Sequence, residues 1–166
     1  MEQKLEPKDI AGYLPYGLKA MYAPKLTNKE KYTKIVDIHG LNFKKELDDE
    51  IILILRPLSD LYKTITHNGK EIVPIVELAK IAFPEFEWNL VNDIAAAADN
   101  LFIFIYDERK ENQAFTAMNT DLQLPIIINN QYQLFDYMNE LKIDYRGLID
   151  AGLAIDCNTL DNNPYC

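Results

Sequence analysis

The run Ile51-Ile52-Leu53-Ile54-Leu55 constrains this chain more than any other stretch. Five aliphatic residues in a row, three of them β-branched, fit a strand covered on both faces. Arg56 brings a charge to the strand's end, and Pro57, which has no N–H, ends the ladder and starts a turn. A strand covered on both faces lies inside a sheet, so its flanks are expected to supply its neighbours. Gly17–Tyr22 alternates loosely and Tyr32–His39 is rich in β-branched residues, so both read as strands. Three strands joined by short connections predict an antiparallel meander.

Downstream, Asn68-Gly69 between Tyr62–His67 and Lys70–Pro74 predicts a two-residue hairpin, because a type I′ turn needs two positive φ values. Ile75, Leu78, Ala79 and Ala82 fall on one helical face, which Pro84 terminates. Phe86, Trp88 and Leu90 alternate with polar residues, as a short strand or an extended segment would. Residues 92–100 hold four alanines and allow either a short helix or another structure. Leu101–Tyr106 and Gln113–Met118 form a second hairpin around a charged turn, and Pro125–Ile128 is extended. A helix capped by Asn129 or Asn130 runs to about Lys142, with Leu134, Phe135, Met138 and Leu141 as its apolar positions. Asp144 caps a shorter helix carrying Tyr145, Leu148 and Ile149, which ends at Gly152. The sum is an α+β chain with a mainly antiparallel sheet built from hairpins, and helices toward the C-terminal half. A length of 166 residues fits one domain, taken as residues 1–157, with 158–166 as a loose tail.

Charge excludes some functions. Residues 1–83 hold 13 Lys/Arg and 12 Asp/Glu, whereas residues 84–166 hold 4 and 14, giving +1 and −10. A chain so short of cations in its second half is not expected to bind nucleic acid or an anionic membrane surface. No apolar run approaches the ~20 residues of a membrane span, and the N-terminal residues lack a signal-peptide core. Two cysteines, Cys157 and Cys166, make no disulfide framework and fit a reducing cytoplasm.

Four phrases resemble a family: Ile10–Lys19, Ile54–Leu61, Leu134–Tyr137 and Gly147–Asp156. They are similar to small proteins of phages and prophages of gut bacteria, a group with no assigned activity. The resemblance spans nearly the whole chain and is weakest over residues 85–123. Many members have Trp-His-Phe-Asp where this chain has Leu141-Lys142-Ile143-Asp144. It implies a phage-encoded protein in a bacterial host's cytoplasm and transfers no catalytic residue.

Candidate site residues are few. His39 and His67 are the only histidines, and neither belongs to a metal-ligand spacing. Asp48-Asp49-Glu50 could bind a divalent cation or serve as a solvated connection. Arg56 could grip a carboxylate or phosphate, or anchor the strand end to an acidic neighbour such as Asp60. Cys157 sits in an acidic tail that disfavours its thiolate. No phosphate loop or nucleophile elbow is present, so no cofactor and no catalytic residue are expected. Tyr13, Tyr16 and Tyr22 cluster near the start, and Tyr132, Tyr137 and Tyr145 near the end, as interface residues or as the edge of a core.

These observations favour a non-catalytic binding or inhibitor module acting on a host protein. Two alternatives stay open. One is a small-ligand binder or enzyme with a site near Arg56 and His67, where the 48–50 carboxylates would converge. The other is a structural or virion-associated protein acting as a homo-oligomer; oligomeric state is not readable from one chain.

Overall fold

The aliphatic run becomes an interior strand, and it finds one of its two neighbours a hundred residues away. The computed structural model describes residues 5–23, 34–38, 50–109 and 113–166. Among these are helices α1 (Pro7–Ile10), α2 (Pro74–Ala82) and α3 (Gln131–Glu140). The strands are β1 (Lys19–Ala23), β2 (Lys34–Asp37), β3 (Glu50–Leu55), β4 (Ile65–His67), β5 (Lys70–Ile72), β6 (Asn89–Val91), β7 (Ile94–Ala97), β8 (Phe102–Asp107), β9 (Ala114–Asn119), β10 (Leu124–Ile126) and β11 (Ala154–Asp156). The class is α+β with antiparallel pairing dominant. The chain divides into two compact units, residues 1–58 with 142–165, and residues 59–141 with Cys166.

The first unit holds a four-stranded sheet in the order β11-β3-β1-β2. β3 is interior, and Leu53, Ile54 and Leu55 are fully buried on both of its faces. The meander expected from the sequence is corrected in its order. β1, not β3, lies beside β2, and β1 is antiparallel to both. The far side of β3 is taken by β11, which runs parallel to it with Ile155 opposite Ile54. Beyond β3 the backbone of Arg56 continues the parallel pairing: its N–H donates to Lys142 C=O, and its C=O accepts from Asp144 N–H, both at 2.8 Å.

Residues 145–152 form successive turns and not the helix that their apolar spacing suggests. Asp144 does act as a cap, accepting from Leu148 N–H at 2.9 Å and Ile149 N–H at 2.7 Å. Gly147 and Gly152, with φ of 73° and 72°, then turn the chain out of the helical region. Residues 158–166, expected as a loose tail, include Tyr165. Its hydroxyl accepts from Lys19 N–H at 3.0 Å and donates to Ile54 C=O at 2.8 Å. Lys19 and Ile54 are partners across the β1–β3 ladder, so this side chain bridges two strands.

In the second unit, β4 and β5 form the expected hairpin, with φ of 50° at Asn68 and 73° at Gly69. α2 buries Ile75, Leu78 and Ala79, the stripe read from the sequence. The remaining strands form a meander in the order β10-β9-β8-β7-β6. The alanine-rich segment is strand β7, flanked by turns in which Asn92, Asp93, Ala98, Asp99 and Asn100 all have positive φ. Small side chains in β7 let α2 approach the sheet closely, and α2 touches β6, β7 and β8.

Register assigns the side chains of this sheet to its two faces. Ala95 pairs with Phe104, Phe104 with Ala117, and Tyr106 with Phe115, so all of these share one face. α3 covers it through Phe135, whose ring lies 5.4 Å from Phe115 and 6.3 Å from Tyr106. Phe86 and Trp88 add to the same layer, against Phe102 and Phe104 respectively. Because Leu124 pairs with Asn119 and Ile126 with Ala117, the β10 side chains Leu124 and Ile126 also belong to this covered face.

Candidate functional site

Arg56 and His67, the two residues singled out as ligand-binding candidates, fall in different units. Arg56 is 2% exposed. One guanidinium nitrogen donates to Tyr165 C=O at 2.7 Å, and the group lies 5.9 Å from the Tyr165 ring centroid. Lys142, also buried, stands 5.6 Å from the same ring and 5.8 Å from that of Tyr16. Two cations therefore flank one tyrosine whose hydroxyl is already engaged in the ladder. Burial holds that hydroxyl well above the ordinary phenol range, against the lowering influence of Lys19 N–H and Arg56. This is the geometry of an anchor: Arg56 and Lys142 fix the chain's last residues to the sheet.

His67 ends β4, and its Nε2 lies 3.2 Å from Glu140 Oε1 and 3.0 Å from Asn68 Nδ2. An ionised Glu140 can only accept, so Nε2 carries the proton toward it. The Asn68 amide then turns its oxygen to the ring. The imidazole packs edge-on to Tyr137 at 6.5 Å. Burial pushes the Tyr137 hydroxyl up to about 12, with Glu77 and Glu140 adding to the effect. A histidine held by a carboxylate can move a proton, and among the described residues Asn68 and Tyr137 are its other neighbours.

Cys157 is buried, with Asn163 Nδ2 at 3.3 Å from its sulfur. His39, Asp48 and Asp49 lie outside the described residues; Glu50 opens β3. Among the described residues, no group of three or more His, Cys, Asp or Glu is arranged to hold a metal ion. No helix among them is long and apolar enough to cross a membrane. The tyrosines divide: Tyr13 and Tyr145 are buried 6.2 Å apart, whereas Tyr132 stands in solvent.

Among the described residues, the most exposed large apolar groups are concentrated elsewhere. Leu122 is 66% exposed, Leu124 57%, Ile127 79% and Tyr132 72%, all within eleven residues spanning β10 and the first turn of α3. Leu124 belongs to the apolar face of the five-stranded sheet, at the margin where cover ends. The edge beside it is built in an unusual way. The Gln131 side chain accepts from Phe115 N–H at 3.0 Å and donates to Phe115 C=O, taking the place of a further β10 residue. Phe115 therefore directs its backbone toward the β10 side of β9, and so do Ala117 and Asn119. Leu124 and Ile126, their partners, direct theirs inward, which leaves Pro125 as the outward-facing residue of β10. Proline has no N–H, so the outer edge offers an incoming strand a carbonyl and no donor.

The unit that carries this segment is acidic. The second unit holds 5 Lys/Arg against 13 Asp/Glu, net −8, and the first 12 against 13, net −1. From residue 111 to 141 there is no Lys, Arg or His, while Glu111, Asp121, Asp136 and Glu140 are present. Periodicity does not reveal this surface, because Leu122, Leu124 and Ile127 read as an ordinary approach to a strand. The absence of any basic residue over thirty-one positions was the available signal. No family model matches the chain, and no curated protein and no solved structure matches it.

Proposed function

We propose that this protein is a phage- or prophage-type accessory protein that works as a non-catalytic binding or inhibitor module on a bacterial host protein, in the host's cytoplasm. The observation that carries the reading is the exposed apolar segment Leu122–Tyr132 on an acidic unit. Exposed groups of this size gathered in one short segment favour association over solubility. The four phrases similar to phage proteins supply the setting. Arg56 supports the reading from the other direction, since its guanidinium is buried and bonded to the chain's own backbone.

The test is co-purification from host lysate with two baits, the wild type and Ile127→Glu. A protein retained by the wild type and lost with the variant is the expected result. Equal recovery on both baits, or none on either, refutes the assignment to this surface. A second reading rests on the His67–Glu140 pair, 3.2 Å apart and both partly exposed. It makes the protein a small-ligand binder or enzyme. His67→Gln would then abolish the biological effect while Ile127→Glu would leave it intact.

A further inference from the structure

The exposed segment says more than that something docks there; it specifies what. We infer that the surface around β10 and the start of α3 receives a protein segment whose apolar side chains are ringed by Lys and Arg, seated on side chains and not added as a strand. This rests on the binding-module reading and names the chemistry of its partner.

Three observations carry it. The first is the mixture of apolar and acidic groups. Leu122, Leu124, Ile127 and Tyr132 are exposed, and Asp121 and Asp136, both exposed, stand within the same stretch. Cations on a partner would meet complementary charge, whereas anions would be repelled. The second is that no basic residue occurs between Lys110 and Lys142. A second copy docking by the same patch would set Asp121 and Asp136 against their own counterparts, like charge against like. An isologous dimer is therefore disfavoured, and so is an anionic lipid surface. The third is the edge itself. Pro125 faces outward on β10, and Gln131 already satisfies the backbone of Phe115 beyond it. Strand addition requires a row of free donors and acceptors, which this edge lacks. What remains for a partner is the side-chain margin: Leu124 on the sheet's apolar face, with Ile127 and Tyr132 next to it in the chain.

The experiment uses the full chain and two amphipathic helical peptides with the same leucine face, one with lysine on its polar face and one with glutamate. Binding is followed by calorimetry at low and moderate salt. The lysine peptide is expected to bind and the glutamate peptide not. Ile127→Glu is expected to weaken the lysine peptide about tenfold or more. That substitution adds a negative charge, so simple charge attraction would strengthen binding; strengthening overturns the inference. Val91→Glu, on β6 at the opposite edge of the sheet, adds the same charge and is expected to leave the affinity unchanged. Asp121→Asn with Asp136→Asn is expected to flatten the salt dependence. Equal binding of both peptides would overturn the basic-partner inference and leave the binding-module reading standing. So would a wild-type dimer in light scattering that Ile127→Glu dissolves. The module reading fails separately, through the lysate comparison. Ile127 is mostly solvent-exposed, and the fluorescence of Trp88 verifies that each variant remains folded.

Discussion

Tyr165 does three jobs with one side chain and one carbonyl. Its hydroxyl links Lys19 N–H to Ile54 C=O, its ring lies under Arg56 and Lys142, and its carbonyl takes the Arg56 guanidinium. Tyr165→Phe keeps the ring and removes the link, leaving a donor and an acceptor facing a gap too small for good pairing. It is expected to cost ~1–3 kcal/mol in a urea titration, the usual penalty for stranding buried polar groups. Tyr165→Ala should cost more, since the two cations also lose their aromatic surface. The same burial gives an alkaline signature. The hydroxyls of Tyr137 and Tyr165 are held above the ordinary value of 10.0, so the folded state keeps protons that the unfolded chain has lost. Their contribution to stability is complete below pH 10 and fades as pH rises through the folded values, about 12 for Tyr137. Ultraviolet titration of the ten tyrosines should show a late-ionising group, diminished by one in Tyr165→Phe. Asp144 follows the same sign at acid pH. Burial raises its carboxyl above 3.8 although backbone N–H groups pull the other way, so its contribution is complete below that value and declines as pH rises through the folded one. Asp144→Asn keeps one acceptor and turns an amide N–H₂ toward a backbone donor. It should cost ~1–2 kcal/mol at neutral pH by denaturant titration.

At the scale of elements, β10 is an edge strand protected by one residue. Pro125→Thr restores an outward N–H beside Leu124 without enlarging the side chain. Light scattering of that variant should show concentration-dependent association beyond the wild type; an unchanged mass would mean that the edge is guarded by something other than proline. This strand also marks where the sequence stops being legible. The Asn68-Gly69 hairpin, the α2 stripe and the β8–β9 pair were all readable, because each is specified by neighbours within about twenty residues. β11 was not. Leu153-Ala154-Ile155 is too short to declare itself, and its parallel partner β3 lies a hundred residues back. The order of β1, β2 and β3 escaped for a related reason: alternation assigns a strand its faces and not its neighbours. Ala95–Ala97 read ambiguously because alanine's helix preference competes with the turn chemistry on either side, and Asn92-Asp93 with Asp99-Asn100 prevail. Of the candidate site, the bond from Arg56 to Tyr165 was not legible, since a backbone carbonyl leaves no trace in composition.

Over the whole molecule the decisive quantity is the uneven charge, −8 in residues 59–141 against −1 in the rest. Like charges held in one folded unit repel, and unfolding relieves that repulsion, so the second unit carries a destabilising contribution that salt screens. The chain happens to report on this unit alone, because its single tryptophan, Trp88, is buried there between Phe83, Phe86 and Phe104. The urea midpoint read from Trp88 fluorescence is therefore expected to rise as ionic strength increases from ~0.01 M, where the screening length is ~30 Å, to ~0.15 M, where it is ~8 Å. Asp136→Lys lowers the repulsion by two charges at an exposed site. It should raise the midpoint at low salt and reduce the salt effect, whereas a purely structural role for Asp136 would lower the midpoint at every salt concentration. The same substitution places a cation beside Tyr132, so it should weaken the lysine peptide while stabilising the fold. A protein that keeps thirty-one consecutive residues free of basic side chains forgoes that stability, and a cationic partner is the interaction that would make the exchange favourable.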